Sequence, residues 1–209
     1  MKEISHPDTV TILLAAGSSS RMGQSKQLLD VKGVPLLRHS VHTALSAGTS
    51  RIVVVLGANE PSHREVIRDL PVDIVVNHYW QSGMGSSIKT ALHYIIREHA
   101  EAKAVLMMVC DQPKVTSKHL HALVNEYFRS GKKIVASSYA NAVGVPAVFG
   151  RSFFSNMLML KDDEGARKII AQFSELSTTL PFPDGALDLD TMDDYTKFRD
   201  QITPPKENI

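Results

Sequence analysis

The stretch "TILLAAGSSSRMGQSKQLL", residues 11–29, contains the transition that decides the fold. An apolar run ends at Gly17, and a polar loop that carries Arg21 and Lys26 follows it. A near-continuous apolar run is typical of a strand that is covered on both faces. Connections from a strand to a helix are usually short. The length of this loop and its two cations therefore need a separate explanation.

The rest of the chain alternates similar apolar runs with helix-like segments. The runs that predict strands are residues 10–16, 51–57, 72–77, 104–110, 133–139 and 144–150. The segments that predict helices are residues 36–48, 61–70, 86–100, 116–131, 151–160 and 164–174, and residues 188–198 predict a short strand followed by a helix. This alternation predicts an α/β layered fold with a mostly parallel sheet. We expect one domain over residues 1–202 and a frayed tail over residues 203–209.

The composition excludes several classes of protein. The 209 residues include 23 basic and 22 acidic residues, so the chain lacks the excess of positive charge that favours nucleic-acid binding. No apolar run approaches the roughly 18 residues of a membrane span, and residues 1–10 lack the apolar core of a signal peptide. We therefore expect a cytoplasmic protein without nucleic-acid or membrane partners. The single cysteine, Cys110, lies in an apolar run and is expected to be buried.

The loop after the first strand does not match two common phosphate-binding loops. Gln24 stands where a Walker A loop requires Lys, and Ser19 stands where a dinucleotide fingerprint requires its second glycine. The loop still has the components of a polyphosphate site, because backbone N–H groups can line an anion-binding concavity. Arg21 offers a planar fork for phosphate oxygens, and Lys26 offers a compact positive charge. The alternative is a flexible surface loop with solvated cations.

Asp111 directly follows the predicted strand over residues 104–110. The carboxyl ends of strands are where ligands gather in open α/β sheets, so Asp111 lies at the same edge as the loop. A carboxylate there could hold Mg²⁺, which prefers oxygen ligands and bridges substrate phosphates. The alternative is a cap of the turn before Pro113.

Two further acidic residues precede the last predicted helix. Asp188 and Asp190 would point to the same side of an extended segment. Thr191 is predicted to be the N-cap residue of the helix. Asp193 and Asp194 fall in its first turn, where the helix dipole favours negative charge, so they need no chemical role.

Residues 77–89, "NHYWQSGMGSSIK", form another glycine-containing connection. Gly83 and Gly85 would allow close approach to a ligand, and Ser86 and Ser87 could cap the next helix. The alternative is an ordinary glycine-rich helix entry. The nine histidines include no zinc-binding motif, and we expect no zinc site.

The segment "LAAGSSSRMGQSKQLL", residues 14–29, resembles the signature L-A-A-G-x-S-x-R-M-G-x-x-K-x-L-L of the MobA-like NTP transferases. Five further segments resemble the cytidylyltransferase branch of that family in order and spacing: "GMGSSIKTAL" (83–92), "CDQP" (110–113), "GVPAVFG" (144–150), "DDEGARKII" (162–170) and "DLDTMDDY" (188–195). The resemblance covers the chain apart from its tail. It implies a three-layer, mostly parallel Rossmann-like sheet of the nucleotide-diphospho-sugar transferase type.

The resemblance implies a Mg²⁺-dependent nucleotidyltransferase. Such an enzyme would move a nucleoside monophosphate, with CMP favoured, from an NTP (CTP or GTP) to a phosphorylated acceptor and release pyrophosphate. Molybdopterin or the molybdenum cofactor is the expected acceptor, and a molybdoenzyme or a chaperone is a possible protein partner. Two alternatives stay open: a nucleotidyltransferase for a sugar phosphate or another metabolite, and a non-catalytic module that binds and delivers a nucleotide or cofactor.

The resemblance also implies roles for individual residues. Arg21, Lys26 and Asp111 would be catalytic, and Asp111 and Asp190 would hold Mg²⁺. The expected nucleotide-binding residues are Leu14, Ala15, Ala16, Gly17, Ser18, Arg21, Lys26, Asn77, Gly85 and Ser86. The chain departs from the family pattern at Cys110, where many relatives have Gly, and at Val145, where many have His or Asn.

Overall fold

A computed structural model describes residues 6–140 and 142–202. In chain order the strands are β1 (His6–Leu14), β2 (Asp30–Val31), β3 (Val34–Pro35), β4 (Thr49–Leu56), β5 (Asp73–Val76), β6 (Ala104–Val109), β7 (Ile134–Tyr139), β8 (Ala142–Gly150) and β9 (Ser177–Pro181). The helices are α1 (Leu36–Leu45), α2 (Glu60–Glu65), α3 (Met84–Glu98), α4 (Ser117–Ser130), α5 (Phe154–Leu158), α6 (Ala166–Gln172) and α7 (Met192–Ile202).

Seven strands form one sheet in the order β5-β4-β1-β6-β8-β7-β9, and β2 and β3 pair separately. Strands β1, β4, β5 and β6 are parallel neighbours. Strand β8 runs antiparallel to both β6 and β7, and β9 is parallel to β7. The sheet is therefore mostly parallel, as the apolar runs predict.

The two faces of the sheet carry separate cores, because successive side chains of a strand point to opposite faces. Leu13 packs with apolar side chains of α1, α4 and α7 on one face. Its neighbour Ile12 packs with apolar side chains of α3, α5 and α6 on the other face. The predicted three-layer arrangement is confirmed, because helices cover both faces of the mostly parallel sheet.

The predicted strand at the start of residues 188–198 is wrong. Residues 188–190 form no strand, and a backbone hydrogen bond from Leu189 N to the Asp111 carbonyl oxygen at 2.9 Å attaches them beside the end of β6. The predicted cap of α7 is confirmed. Thr191 Oγ1 accepts from Asp194 N at 3.2 Å, and the Asp194 carboxylate accepts from Thr191 N at 2.9 Å.

Other details also differ from the sequence prediction, among them the helix predicted over residues 61–70, since α2 ends at Glu65. Strand β9 was not predicted, because it is a short, half-exposed edge strand with few apolar residues. Helix α3 begins at Met84, so Ser86 and Ser87 lie inside its first turn and do not cap it.

The expected tail, residues 203–209, lies outside the described residues. No helix within residues 6–140 and 142–202 has the length and hydropathy needed to cross a membrane.

Phe149 of β8 is fully buried in the core that α3, α5 and α6 cover. We expect Phe149→Ala to lower the free energy of unfolding by about 3–5 kcal/mol, because it removes buried apolar contacts and leaves a cavity. Urea denaturation measures this change. The control is Met159→Ala, whose side chain is 83% exposed and whose loss should change the free energy by less than about 0.5 kcal/mol.

Candidate active site

The carboxyl ends of β1 and β6 open onto a cavity of about 680 Å³. The predicted site residues that line it are Leu14, Ala15, Ala16, Gly17, Ser18, Arg21, Lys26, Asp111 and Asp190. Leu14 is the last residue of β1, and the residues from Ala15 to Lys26 follow this strand. Asp111 follows β6 after Cys110. Asp190 reaches the same edge because its neighbour Leu189 is hydrogen-bonded to the backbone of Asp111. The fold thus brings together three segments that are distant in the sequence.

Lys26 lies between the carboxylates of Asp111 and Asp190, the two predicted metal-binding residues. Its Nζ atom is 2.6 Å from Asp111 Oδ2 and 3.4 Å from Asp190 Oδ1. The side chain is only 15% exposed. Burial by itself would lower the pKa of the Lys26 ammonium group, but the charges and hydrogen bonds of the two carboxylates raise this pKa above its ordinary value. Lys26 is therefore a fixed positive charge at neutral pH.

Arg21 completes the charged cluster from the outer side. Its guanidinium Nη2 atom lies 3.1 Å from Asp190 Oδ2. The Arg21 side chain is 70% exposed, whereas Asp190 is half-buried. An exposed ion pair of this kind contributes little to stability, so the pair can open at little cost when another anion competes for Arg21.

The donor set fits a hard divalent cation. Within the described residues no group of three His, Cys, Asp or Glu side chains could hold a metal ion. Mg²⁺ usually needs only one or two carboxylates, because waters and substrate phosphates supply its other ligands. Asp111 and Asp190 meet that requirement, since both carboxylates lie within reach of a single cation, which is here the Lys26 ammonium group.

Gln27 holds the loop after β1 in shape, a role that the sequence motif did not reveal. Its side chain is 1% exposed, and Nε2 donates to the carbonyl oxygens of Ala15 (3.2 Å) and Gly17 (2.8 Å). Its Oε1 accepts from the hydroxyls of Ser19 (3.2 Å) and Ser25 (2.9 Å). These bonds tie the beginning of the loop to its end, so the loop has a defined shape.

Ser19 adds a second constraint on the loop. Its backbone lies in the left-handed region at φ 57°, which is uncommon for a residue other than glycine. Its Oγ accepts from the backbone N–H of Lys26 at 3.0 Å. This bond offsets the unfavourable backbone conformation and positions Lys26. In contrast, a Cβ atom added to Gly17 would meet nothing within 4 Å, so the space in front of Gly17 is open.

Three predicted nucleotide-binding residues do not line the cavity: Asn77, Gly85 and Ser86. The Asn77 side chain is buried, and its Nδ2 donates to Ser86 Oγ at 2.8 Å and Ser87 Oγ at 2.9 Å. Ser86 Oγ in turn donates to the carbonyl oxygen of Gly83 at 2.7 Å. These bonds organise the start of α3 beneath the cavity, and contact with a nucleotide stays a prediction for these residues.

Gly85 has a close neighbour that explains the absence of a side chain. Its N–H donates to the Asp162 carbonyl oxygen at 2.8 Å, and an added Cβ atom would lie 2.1 Å from the Lys161 carbonyl oxygen. Glycine is required here because backbone packs directly on backbone. The start of α3 is thereby held against the segment before α6.

Several residues without a predicted role also line the cavity, among them Gln112, Val145, Arg167 and Asp188. The pKa of the Asp188 carboxyl group is raised by its partial removal from water and by the nearby charge of Asp111. Together with Val145 and Arg167, Asp188 contributes a part of the cavity wall that comes from segments other than the β1 loop.

Cys110 is buried, as the sequence predicts, although it contributes to the cavity wall. Burial and the adjacent charge of Asp111 raise the pKa of its thiol to about 12. The thiol is therefore neutral at physiological pH and is a poor nucleophile.

We expect Gln27→Ala to lower the free energy of unfolding by about 1–3 kcal/mol, because buried carbonyl oxygens and hydroxyls lose their partner. Chemical denaturation followed by circular dichroism measures this loss. Gln24→Ala is the matched control, since Gln24 lies exposed in the same loop. Equal effects of the two substitutions would contradict the role of Gln27.

Comparison with known proteins supports the family resemblance of the sequence motifs. The MobA-like NTP transferase domain model matches residues 11–177. The chain is 29% identical over 206 residues to the purine catabolism protein PucB of Bacillus subtilis (strain 168). This alignment covers 92% of this chain and 97% of PucB. It is 32% identical over 148 residues to the nicotine blue oxidoreductase of Paenarthrobacter nicotinovorans, and this second alignment covers 69% of this chain and 68% of the relative.

A solved structure agrees over nearly the whole chain. The manganese complex of Rv0371c from Mycobacterium tuberculosis H37Rv superposes with a TM-score of 0.78 and 27% sequence identity. The alignment covers 93% of this chain and 100% of that structure. The family match extends from β1 into β9 and includes the loop and Asp111. The chain therefore belongs to the MobA-like NTP transferase family.

Proposed function

We propose that this protein is a Mg²⁺-dependent nucleotidyltransferase that transfers CMP from CTP to the terminal phosphate of molybdopterin or the molybdenum cofactor. The observation that carries the proposal is the position of Lys26, which lies between Asp111 and Asp190 in the wall of a cavity that the β1 loop also lines. A cation, two carboxylates and a loop of backbone amides are the groups that phosphoryl-type transfer requires. A cavity of about 680 Å³ is also within the usual size of small-molecule sites.

The triphosphate is expected to bind along the loop from Ala15 to Lys26. The open space at Gly17 leaves room for phosphate oxygens against the backbone. Lys26 would turn from the carboxylates toward the triphosphate, because a polyphosphate competes strongly for its charge. Arg21, which is exposed and weakly paired, would close over the phosphates from outside. Leu14, Ala16 and Ser18 lie beside this path, where we expect them to contact the nucleotide.

Asp111 and Asp190 would hold Mg²⁺. The bound ion would offset negative charge on the α-phosphate and on the departing pyrophosphate. The manganese complex of the related Rv0371c structure supports a divalent cation in this fold. In the structure, Lys26 and Arg21 offset the negative charges of the two carboxylates, and these ion pairs keep the carboxylates together at the sheet edge.

No protein nucleophile is needed for the reaction. An oxygen of the acceptor phosphate forms a bond to the α-phosphorus of the nucleotide, and the bond from that phosphorus to the β-bridging oxygen breaks. The electron pair of the broken bond leaves with pyrophosphate. Lys26 and Arg21 would stabilise the charge that develops there. The neutral Cys110 thiol takes no part, which agrees with the raised pKa of this group.

The choice of CTP and of molybdopterin rests on the ordered motifs that resemble the cytidylyltransferase branch. The acceptor would occupy the wall formed by Val145, Arg167 and Asp188, which lies within the same cavity but outside the β1 loop. Val145 departs from the family pattern on this wall, so the acceptor is the component that most needs a direct test. A molybdoenzyme or a chaperone would then receive the product.

Pyrophosphate release tests the reaction. The purified protein is incubated with Mg²⁺, each of the four NTPs and either molybdopterin or a set of sugar phosphates. We expect release with CTP and molybdopterin, and loss of release when EDTA removes the metal. Release with sugar phosphates but not with molybdopterin would show that the proposed acceptor is wrong. Faster release from GTP than from CTP would show that the proposed nucleotide is wrong. Absence of release in every combination would favour a binding and delivery module.

We expect Asp111→Asn to lower kcat by at least about 100-fold, because a neutral amide is a weak Mg²⁺ ligand and cannot replace the charge of the carboxylate. The same pyrophosphate assay measures this loss, and circular dichroism confirms the fold. Asp193→Asn is the matched control, since Asp193 is exposed in the first turn of α7. Normal turnover by the Asp111 variant would refute the proposed metal site.

A further inference from the structure

His63 is a fully buried histidine that the sequence motifs do not single out. It lies in α2, which follows β4, and β4 is the parallel neighbour of β1. Its Nε2 atom is 2.6 Å from Ser25 Oγ. The backbones after the two strands are also joined, since Ala58 N donates to the Ala16 carbonyl oxygen at 3.0 Å. His63 therefore contacts the β1 loop from a neighbouring element.

The hydrogen bonds around Gln27 determine the direction of this contact. The carbonyl oxygens of Ala15 and Gly17 can only accept, so the amide nitrogen of Gln27 must face them. The Gln27 oxygen then faces Ser25, whose single hydroxyl proton is donated to it at 2.9 Å. Ser25 Oγ has no second proton to give. With the Ser25 proton directed to Gln27, the Nε2 atom of His63 carries the proton and donates to Ser25.

The environment of His63 agrees with a neutral ring protonated on Nε2. Burial lowers the pKa of the imidazole, and the nearby charge of Glu60 offsets only part of this effect. Among the residues that the structure describes, no group hydrogen-bonds to the buried Nδ1 atom. A second proton on Nδ1 would therefore be buried without an acceptor. One tautomer satisfies the whole chain from His63 through Ser25 and Gln27 to the loop backbone.

We propose that His63 is a positioning residue for the nucleotide loop, holding it in the shape that binds the triphosphate through Ser25 and Gln27. The inference rests on the proposed function, because the loop is taken to bind an NTP. His63 does not line the cavity. It sets the position of Ser25, the residue directly before Lys26, and of the Gln27 amide that holds the carbonyl oxygens of Ala15 and Gly17.

Four variants test the proposal: His63→Leu, His63→Gln, Ser25→Ala and the combination of His63→Leu with Ser25→Ala. We expect His63→Leu and Ser25→Ala each to raise the KM for CTP by about 3- to 10-fold, the equivalent in affinity of one hydrogen bond. kcat should change by less than about twofold, because the loop contacts the triphosphate both before and during transfer. His63→Gln should restore KM, since its amide nitrogen can replace the Nε2 donor.

The double variant distinguishes a linked chain from two separate defects. If His63 acts through Ser25, the double variant should raise KM no further than the stronger single variant does. Multiplication of the two effects would overturn the proposal. A purely structural role would also overturn it, and would appear as a smaller fraction of active enzyme, which lowers apparent kcat and leaves KM unchanged. His93→Leu, an exposed substitution on α3, is the control.

Hydrogen exchange of the nucleotide-free protein separates this inference from the proposed reaction. We expect His63→Leu and Ser25→Ala to speed exchange in a peptide that covers residues 17–28, where the Lys26 N–H donates to Ser19. His63→Gln and His93→Leu should exchange like the wild type. Unchanged exchange in His63→Leu would overturn the positioning role. If the wild type releases no pyrophosphate, the proposed function fails, while the exchange result still decides whether His63 holds the loop.

Discussion

The interaction on which the site depends is the ion pairing of the largely buried Lys26 ammonium group with the carboxylates of Asp111 and Asp190. Two carboxylates at one sheet edge repel each other unless a positive charge lies between them. In this structure Lys26 supplies that charge. The same arrangement prepares the site for a metal ion and a triphosphate, because Lys26 can exchange its carboxylate partners for phosphate oxygens while the metal takes its place. The stability of the site and its proposed chemistry therefore depend on the same three side chains.

The surrounding fold places these charged groups close together at one edge of the sheet. Parallel strands β1 and β6 end side by side, which places the loop and Asp111 at one edge. The hydrogen bond from Leu189 to the Asp111 backbone adds Asp190 to this edge without any strand. Gln27 and Ser19 then give the long loop a defined shape from within. These hydrogen bonds give buried polar groups their partners. The loop is therefore ordered for the same reason as a protein core, in which buried polar groups are hydrogen-bonded.

Prediction from the sequence succeeded where a signal is local and failed where it is not. The strands of the sheet centre were predicted from their apolar runs, and Thr191 was predicted as a cap from the residues that follow it. Strand β9 was missed, because an edge strand is half-exposed and has few apolar residues. The antiparallel direction of β8 could not be predicted, because an apolar run has the same composition in either direction. The direction follows only from the pairing of β8 with its neighbouring strands. Gln27 and His63 could not be recognised, because their roles come from hydrogen bonds to other segments.

The sequence by itself determined the family, the layered α/β architecture and the identity of Arg21, Lys26, Asp111 and Asp190 as candidate site residues. These follow from hydrophobic patterning and from a motif, both of which are written along the chain. Only the tertiary structure decided that Lys26 bridges the two carboxylates, that Asn77 and Ser86 bond internally, and that His63 supports the loop. The physical reason is that hydrogen bonds and ion pairs depend on distances of about 3 Å, and such distances between remote segments arise only when the sheet brings their ends together.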